Sequence, residues 1–514
     1  MDDGAADVLS RLTRTNEVAP TEVRKTLTTI DNYVKPSVRR ARARSVGGMA
    51  FTELWERFSF YGLQSILAFY LLYELDKGGL ALGSAESAGI VGAYGGAVYI
   101  AQLVGAWLGE RVLSPKNLVL IGGIVIALGH ICLAVVPGLA GLSVGLVLII
   151  LGTGALKTNI TSIVGFVLEN ETDARRDAGF SYFYMAINTG AVLGPLATGF
   201  VQERWGFHPG FALAAVGMII ALIQYVFSSR KLPERAGQIT RPLSRAGARN
   251  AITLTVAALI IILVAAWTGL LAAESLSTVA TVVALVAAAI YFGVMLASKK
   301  VTRSEKRRVG AYIPLFLAAG LYFGFLFQKF TAVSILVQER VDRDFGSWSF
   351  PVGWVAMVSP LAGVLAAPLI ASLWKRLGAR QPRAGAKFSL GMIQIGVGFM
   401  FILLISALVY QETIPVLLVL VFMVIVGSSE NFVGPIGLAL ATQIAPKAFT
   451  AQMVAVNFLT LALGSSLSGL LGQLFAAIPN NAYFAGIGTA AILVGLILLL
   501  VRRPLQRNLY AGLN

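Results

Sequence analysis

Apolar residues fill windows of membrane-spanning length along almost the whole chain, near 48–74, 87–109, 117–136, 140–167, 179–202, 209–228, 250–270, 276–298, 309–337, 351–373, 388–410, 414–443, 450–477 and 482–501. A transmembrane helix needs roughly 20 predominantly apolar residues, so the pattern predicts an all-α integral membrane protein of about fourteen spans. Between the windows, basic residues recur at alternate gaps. Arg39, Arg40, Arg42 and Arg44 precede the first window; Arg230, Lys231, Arg235, Arg241, Arg245 and Arg249 follow the sixth; Lys299, Lys300, Arg303, Lys306, Arg307 and Arg308 follow the eighth. Lys375, Arg376, Arg380, Arg383 and Lys387 mark another such gap, and Arg502, Arg503 and Arg507 follow the last window. Lys and Arg accumulate in cytoplasmic loops, so both termini of this multi-pass chain are expected on the cytoplasmic side of the cell membrane.

The two basic gaps around windows seven and eight make that pair a hairpin that leaves and returns to one side. The expected organisation is a basic cytoplasmic tail without fixed structure over 1–46, a six-helix bundle over 47–229, linkers and the hairpin over 230–308, a second six-helix bundle over 309–503 and a cytoplasmic tail over 504–514. A cleavable signal would place its apolar stretch near residues 5 to 25, where this chain is polar. Two six-helix halves around a midplane site are a known transporter plan.

Composition narrows the function. The chain is 57% hydrophobic and 13% charged, against about 25% charged in soluble domains, which leaves no room for a large soluble catalytic domain. Cys132 is the single cysteine, which excludes a disulfide framework, a cysteine zinc site and an iron–sulfur site. The net charge of +16 reads as membrane topology rather than nucleic-acid binding. Gly141-Leu142-Ser143-Val144-Gly145 and Gly152-Thr153-Gly154-Ala155-Leu156-Lys157-Thr158 imitate a nucleophile elbow and a phosphate loop, but both lie in apolar helical runs without the strand or the second glycine those motifs need. His130 reads as a packing histidine with its hydrogen bonds satisfied.

The charges inside the windows carry the chemistry. An ionisable group at bilayer depth costs at least about 2.5–3.5 kcal/mol and needs a partner or a water-filled cavity. Glu53, Glu56 and Arg57 lie in the first window, Lys157 in the fourth and Glu430 in the twelfth. On a helix Glu53, Arg57, Tyr61 and Gln64 fall near one face. Three acids against two bases leave one carboxylate without a fixed partner, and such a group can hold a proton near neutral pH. Tyr61, Tyr94, Tyr99, Asn188 and Gln328 are candidates for the same lining.

The run Glu53-Leu54-Trp55-Glu56-Arg57-Phe58-Ser59-Phe60-Tyr61-Gly62 resembles the Glu-x-x-Glu-Arg-Phe-x-Tyr-Tyr-Gly signature of the proton-coupled oligopeptide transporter family, within the major facilitator superfamily. Gly152-Thr153-Gly154 with Lys157 and Asn159, Arg176-Asp177-Ala178-Gly179-Phe180-Ser181-Tyr182-Phe183-Tyr184 leading to Ile187-Asn188 and Gly190, and Glu430 with Pro435, Gly437 and Leu438 extend the resemblance over nearly all of the chain after Gly47. It implies a major facilitator fold with an inserted two-helix hairpin, and a monomeric symporter that imports di- and tripeptides with protons by alternating access. Protons would be the coupling ion, with no cofactor and no metal. Glu53, Glu56, Arg57 and Glu430 would form the proton-linked set. Arg57 and Lys157 would hold the peptide carboxylate and Glu430 its amino group, with Tyr61, Tyr99, Asn188, Gln328 and Ser359 completing the substrate site.

Several positions depart from the family pattern. Gln64 stands where the family usually carries an arginine, and Phe327 where it carries an acid, so both partners of an interhelical ion pair are missing together. Losing one would strand a charge, whereas losing both is tolerable. Ser359, Gly434 and Asn457 also replace usual residues, and Lys329 has no assigned partner. Two other readings follow: a transporter of the same fold carrying nitrate or another small compound, and a membrane enzyme or receptor, for which the sequence offers no metal cluster, nucleophile with base, or soluble sensory domain.

Overall fold

A computed structural model of the chain describes residues 36–169, 171–408 and 413–512. The first half contains α1 (Pro36–Leu72), α2 (Ser84–Arg111), α3 (Pro115–Val135), α4 (Gly138–Val167), α5 (Asp173–Trp205) and α6 (Phe207–Ser229). α7 (Arg245–Trp267) and α8 (Leu276–Ala297) follow as a hairpin. The second half contains α9 (Arg303–Leu326), α10 (Ala332–Arg340), α11 (Val352–Leu377), α12 (Ala384–Leu408), α13 (Val416–Ser428), α14 (Gly434–Ile444), α15 (Thr450–Ala477), α16 (Asn480–Leu500) and the short α17 (Arg502–Leu509). α9 with α10, and α13 with α14, are each one broken span, so the fold is two six-helix bundles with an inserted pair.

Among the described residues thirteen helices or broken helices are long and apolar enough to cross a membrane. α1 falls short because Glu53, Glu56, Arg57 and Gln64 interrupt its apolar middle, yet it packs along α5 and α6 as the remaining span. Two differences from the sequence expectation stand out. Helix α1 begins at Pro36, so residues 36–46 of the expected tail are helical; the rest of that tail, 1–35, lies outside the described residues. An ion pair between Arg42 and Glu171 at 2.7 Å gives this extension a partner in the α4–α5 loop. His130 is fully buried, as packing requires, but neither ring nitrogen has a hydrogen-bond partner.

The loops rich in Lys and Arg define one end of the molecule, here the basic end; α1 finishes at the other, the far end. The bundles meet in the far half. Small residues let α2 and α15 touch backbone to backbone: a Cβ on Gly92 would lie 2.5 Å from Gly469 Cα. Nearer the far end, Trp354 Nε1 donates to Leu196 O at 2.8 Å, Arg343 pairs with Glu203 at 3.5 Å, and Ser84 Oγ donates to Glu339 at 3.2 Å. Toward the basic end Thr161 of α4 and Tyr184 and Met185 of α5 are exposed. α8 is fastened to α2 by Ser277 Oγ donating to Gly89 O at 2.7 Å. α7 exposes Ile252, Leu254, Ile261 and Trp267, the apolar surface of a lipid-facing helix.

Candidate functional site

The charged cluster is built on the crossing of α1 with α5. Gly190 and Gly194 leave α5 without side chains there: a Cβ on Gly190 would lie 2.4 Å from Leu54 O and 2.8 Å from Arg57 Cβ, and one on Gly194 would lie 2.3 Å from Phe58 O. This close approach presses α1 into the bundle, and Glu53, Glu56 and Arg57 are 0%, 0% and 3% exposed. Both oxygens of Glu56 accept from Arg57, at 2.5 and 2.6 Å, a bidentate pairing that fixes the guanidinium plane. Arg57 also lies 4.7 Å above the Phe60 ring. Glu53 pairs with Lys157 of α4 and lies 3.6 Å from Arg57 Nε, both through Oε1. Its Oε2 is buried with no partner.

The second bundle offers two helix breaks. A 3-10 turn over Phe327–Phe330 separates α9 from α10, and another over Ser429–Phe432 separates α13 from α14. Discontinuous helices at mid-membrane are where transporters place substrate sites. Pro435 opens α14, where its missing N–H costs nothing. Glu430 sits in the second turn, and Tyr322 is hydrogen-bonded to the adjacent Ser429 at 2.6 Å. The Glu430 carboxylate has no hydrogen bond or ion pair among the described residues; Lys329 is the cation within its electrostatic reach. Lys329, 6% exposed, donates to Ser359 Oγ of α11 at 3.1 Å.

Tyr61 and Tyr99 lie between the two sets of charges, each within the electrostatic reach of both Arg57 and Glu430. Tyr99 stacks on Phe327 with ring centroids 6.4 Å apart, and Phe327 on Phe323 at 5.8 Å. An aromatic stack therefore occupies the place of the missing acid. Tyr184, which also lies within the electrostatic reach of Glu430, is 57% exposed.

The other predicted residues divide. Asn188 is half-buried on α5 and donates one amide N–H to Tyr184 O at 3.1 Å, so its amide oxygen and second N–H are left for a ligand. Ser359 holds Lys329. Gln328 is not brought to the cluster: it is fully buried, donates to Gly324 O, and accepts from Thr331 and from Tyr483 at 2.9 Å. These bonds tie the broken helix to α16, a packing role that an amide in an apolar helix cannot reveal by sequence. Gln64, on the same face of the continuous helix α1 as Glu53 and Arg57, is buried with its Oε1 unpartnered. Lys329, buried and within the electrostatic reach of Glu430, is a third cation beside Arg57 and Lys157, against the three acids Glu53, Glu56 and Glu430. Its signal was legible as a lysine in an apolar run.

The arrangement presents Arg57 and Lys157, with their carboxylates, on the first bundle and Glu430, with Lys329 within its electrostatic reach, on the second, an opposition of charge that suits a zwitterion. Among the described residues no group of three His, Cys, Asp or Glu side chains is placed to hold a metal ion.

Comparison with known proteins agrees with this geometry. Residues 116–489 match the POT family. An uncharacterized transporter, YclF, of Bacillus subtilis is 37% identical, with the match covering 90% of this chain and 94% of the relative. A di-/tripeptide transporter of Lactococcus lactis is 38% identical over 89% and 94% of the two chains. The crystal structure of a peptide transporter, POT, in complex with sulfate superposes with a TM-score of 0.86 at 36% identity, covering 90% of this chain and 95% of that one.

Proposed function

We propose that this chain, which belongs to the POT family, carries di- and tripeptides together with protons into the cell, each peptide lying across the gap between Arg57 with Lys157 and Glu430. The observation that carries this reading is the opposed placement of charges. The peptide carboxylate meets Arg57 and Lys157, its ammonium meets Glu430, and water reaching the gap past Tyr184 accommodates peptides of different length. Tyr61, Tyr99 and Asn188 supply the remaining contacts.

Proton coupling follows from who already holds the cations. With no peptide bound, Arg57 is covered by Glu56 and Lys157 by Glu53. A peptide carboxylate must compete with them, and the carboxylate that yields needs a proton. Glu53 is that group, because its Oε2 is buried without a partner and a proton there would cost no existing bond. Glu56, with both oxygens engaged, stays ionised as Arg57's counter-ion. Binding is thus linked to protonation of Glu53, and each state favours one orientation of the bundles.

The far end is closed by Trp354, Arg343 and Glu203 and the gap opens toward the basic end. With the basic loops and both termini on the cytoplasmic side, the described conformation is inward-facing, with the chain acting as a monomer. The test is uptake into proteoliposomes. A pH gradient, inside alkaline, should concentrate Ala-Ala, and excess nitrate should leave that uptake unchanged. Failure of the gradient to drive accumulation, or competition by nitrate as strong as by dipeptides, would overturn the reading.

A further inference from the structure

Lys329 is a buried cation that the peptide pose does not use. Among the described residues its ammonium donates to the neutral Ser359 Oγ at 3.1 Å and lies 5.2 Å from the centroid of the Phe330 ring, and a buried ammonium with no anionic partner in contact is costly unless a carboxylate lies near. The fold places one there. Lys329 lies in the 3-10 turn between α9 and α10 and Glu430 in the turn between α13 and α14. Ser359 joins the two turns, since a Cβ on Gly427 of α13 would lie 2.2 Å from Ser359 O. Around Glu430 the other titratable groups are neutral phenols: Tyr322 from α9, Tyr61 from α1, Tyr99 from α2 and Tyr184 from α5. Among the described residues α11 brings the uncharged Ser359 to Lys329 and α12 brings the uncharged Gln394, which donates to Ser428 Oγ at 2.8 Å, while the buried cation of α12, Lys387, is stacked on Trp374 at 4.5 Å.

We propose that Lys329 stands in for the substrate's amino group, neutralising Glu430 in the empty carrier and ceding it to the peptide ammonium when substrate arrives. The inference rests on the peptide pose above and deepens it. A symporter must return empty, and a bare carboxylate buried between closing bundles would oppose that step. The four-carbon stem of lysine lets its ammonium swing between Ser359 and Glu430 without backbone movement. Glu430 therefore has a counter-charge in both limbs of the cycle and needs no proton of its own for the return, leaving Glu53 as the proton carrier.

Two transport modes separate this from a structural role. Net uptake requires the empty carrier to reorient, whereas counterflow of labelled against unlabelled Ala-Ala does not. In K329Q the ratio of net uptake to counterflow should fall about tenfold or more with an alkaline interior, and recover when the interior is acidified and Glu430 can take a proton instead. K329R should keep the wild-type ratio. The E430Q/K329Q double variant should restore the ratio relative to E430Q alone, which leaves the lysine unmatched; this comparison stands even if K329Q alone fails to fold. Each readout is a ratio within one preparation, so lost protein cancels. A ratio unchanged in K329Q, a loss insensitive to interior pH, or a double variant no better than E430Q would overturn the proposal. Absence of any wild-type Ala-Ala counterflow would instead overturn the peptide assignment.

Discussion

Glu53 gives one carboxylate oxygen to Lys157 and leaves the other buried without a partner. This asymmetry separates it from Glu56, three residues on, whose two oxygens are both held by Arg57. Glu53→Gln should therefore abolish accumulation driven by a pH gradient while sparing counterflow, because an amide can occupy the site but cannot carry the proton. Glu56→Gln should impair both modes by loosening Arg57. Measured in the same proteoliposomes, gradient-driven accumulation persisting in Glu53→Gln would move the coupling site elsewhere.

Lys157→Ala removes the cation that Glu53 and the peptide carboxylate share. Both modes should fall to background, and wild-type uptake would refute the assignment of Lys157 to the site.

Glu430→Gln should weaken peptides with a free amino terminus far more than N-blocked ones. A charge-assisted hydrogen bond is worth about 1.5–3 kcal/mol, or about 10- to 150-fold in affinity. Competition against labelled dipeptide reads the difference directly, and equal losses for the two ligands would place Glu430 away from the amino group.

The pair Arg343–Glu203 and the approach of Gly199 to Gly353, where an added Cβ would lie 3.3 Å from Gly353 Cα, hold the far end shut. Exposed pairs contribute about 0.2–1 kcal/mol, so Arg343→Gln should raise the outward-open population by about 1.4- to 5-fold. Spin-label distances across the far end report it. The charge-swapped pair Glu203→Arg with Arg343→Glu should return the population toward wild type.

Glu171 lies outside the membrane in the α4–α5 loop. Burial pushes its carboxyl up, but hydrogen bonds and charge from Arg42 and Arg175 outweigh that and hold it below the ordinary range. A depressed acid stabilises the folded arrangement above its unfolded pKa and loses that contribution as pH falls through the folded value. The start of α1 should accordingly fray only in acid below the ordinary carboxylate range, seen as faster hydrogen exchange in residues that follow Pro36. Glu171→Gln should produce the same fraying at neutral pH.

The sequence by itself determined the spans and the two-bundle plan, because apolar length is a local property that the bilayer reads directly. It also marked Glu53, Glu56, Arg57, Lys157 and Glu430, since a charge in an apolar helix needs a reason wherever it lies. Tertiary structure alone decided the pairings. Whether Glu53 or Glu56 keeps a free oxygen depends on how Gly190 and Gly194 seat α5 against α1 and where that leaves α4. Gln328 became a packing residue and Lys329 a member of the site through helix breaks that hydropathy reads as continuous spans. Partners for a buried polar group come from other helices, and side chains hundreds of residues apart, such as Gln328 and Tyr483, meet only when the bundle closes.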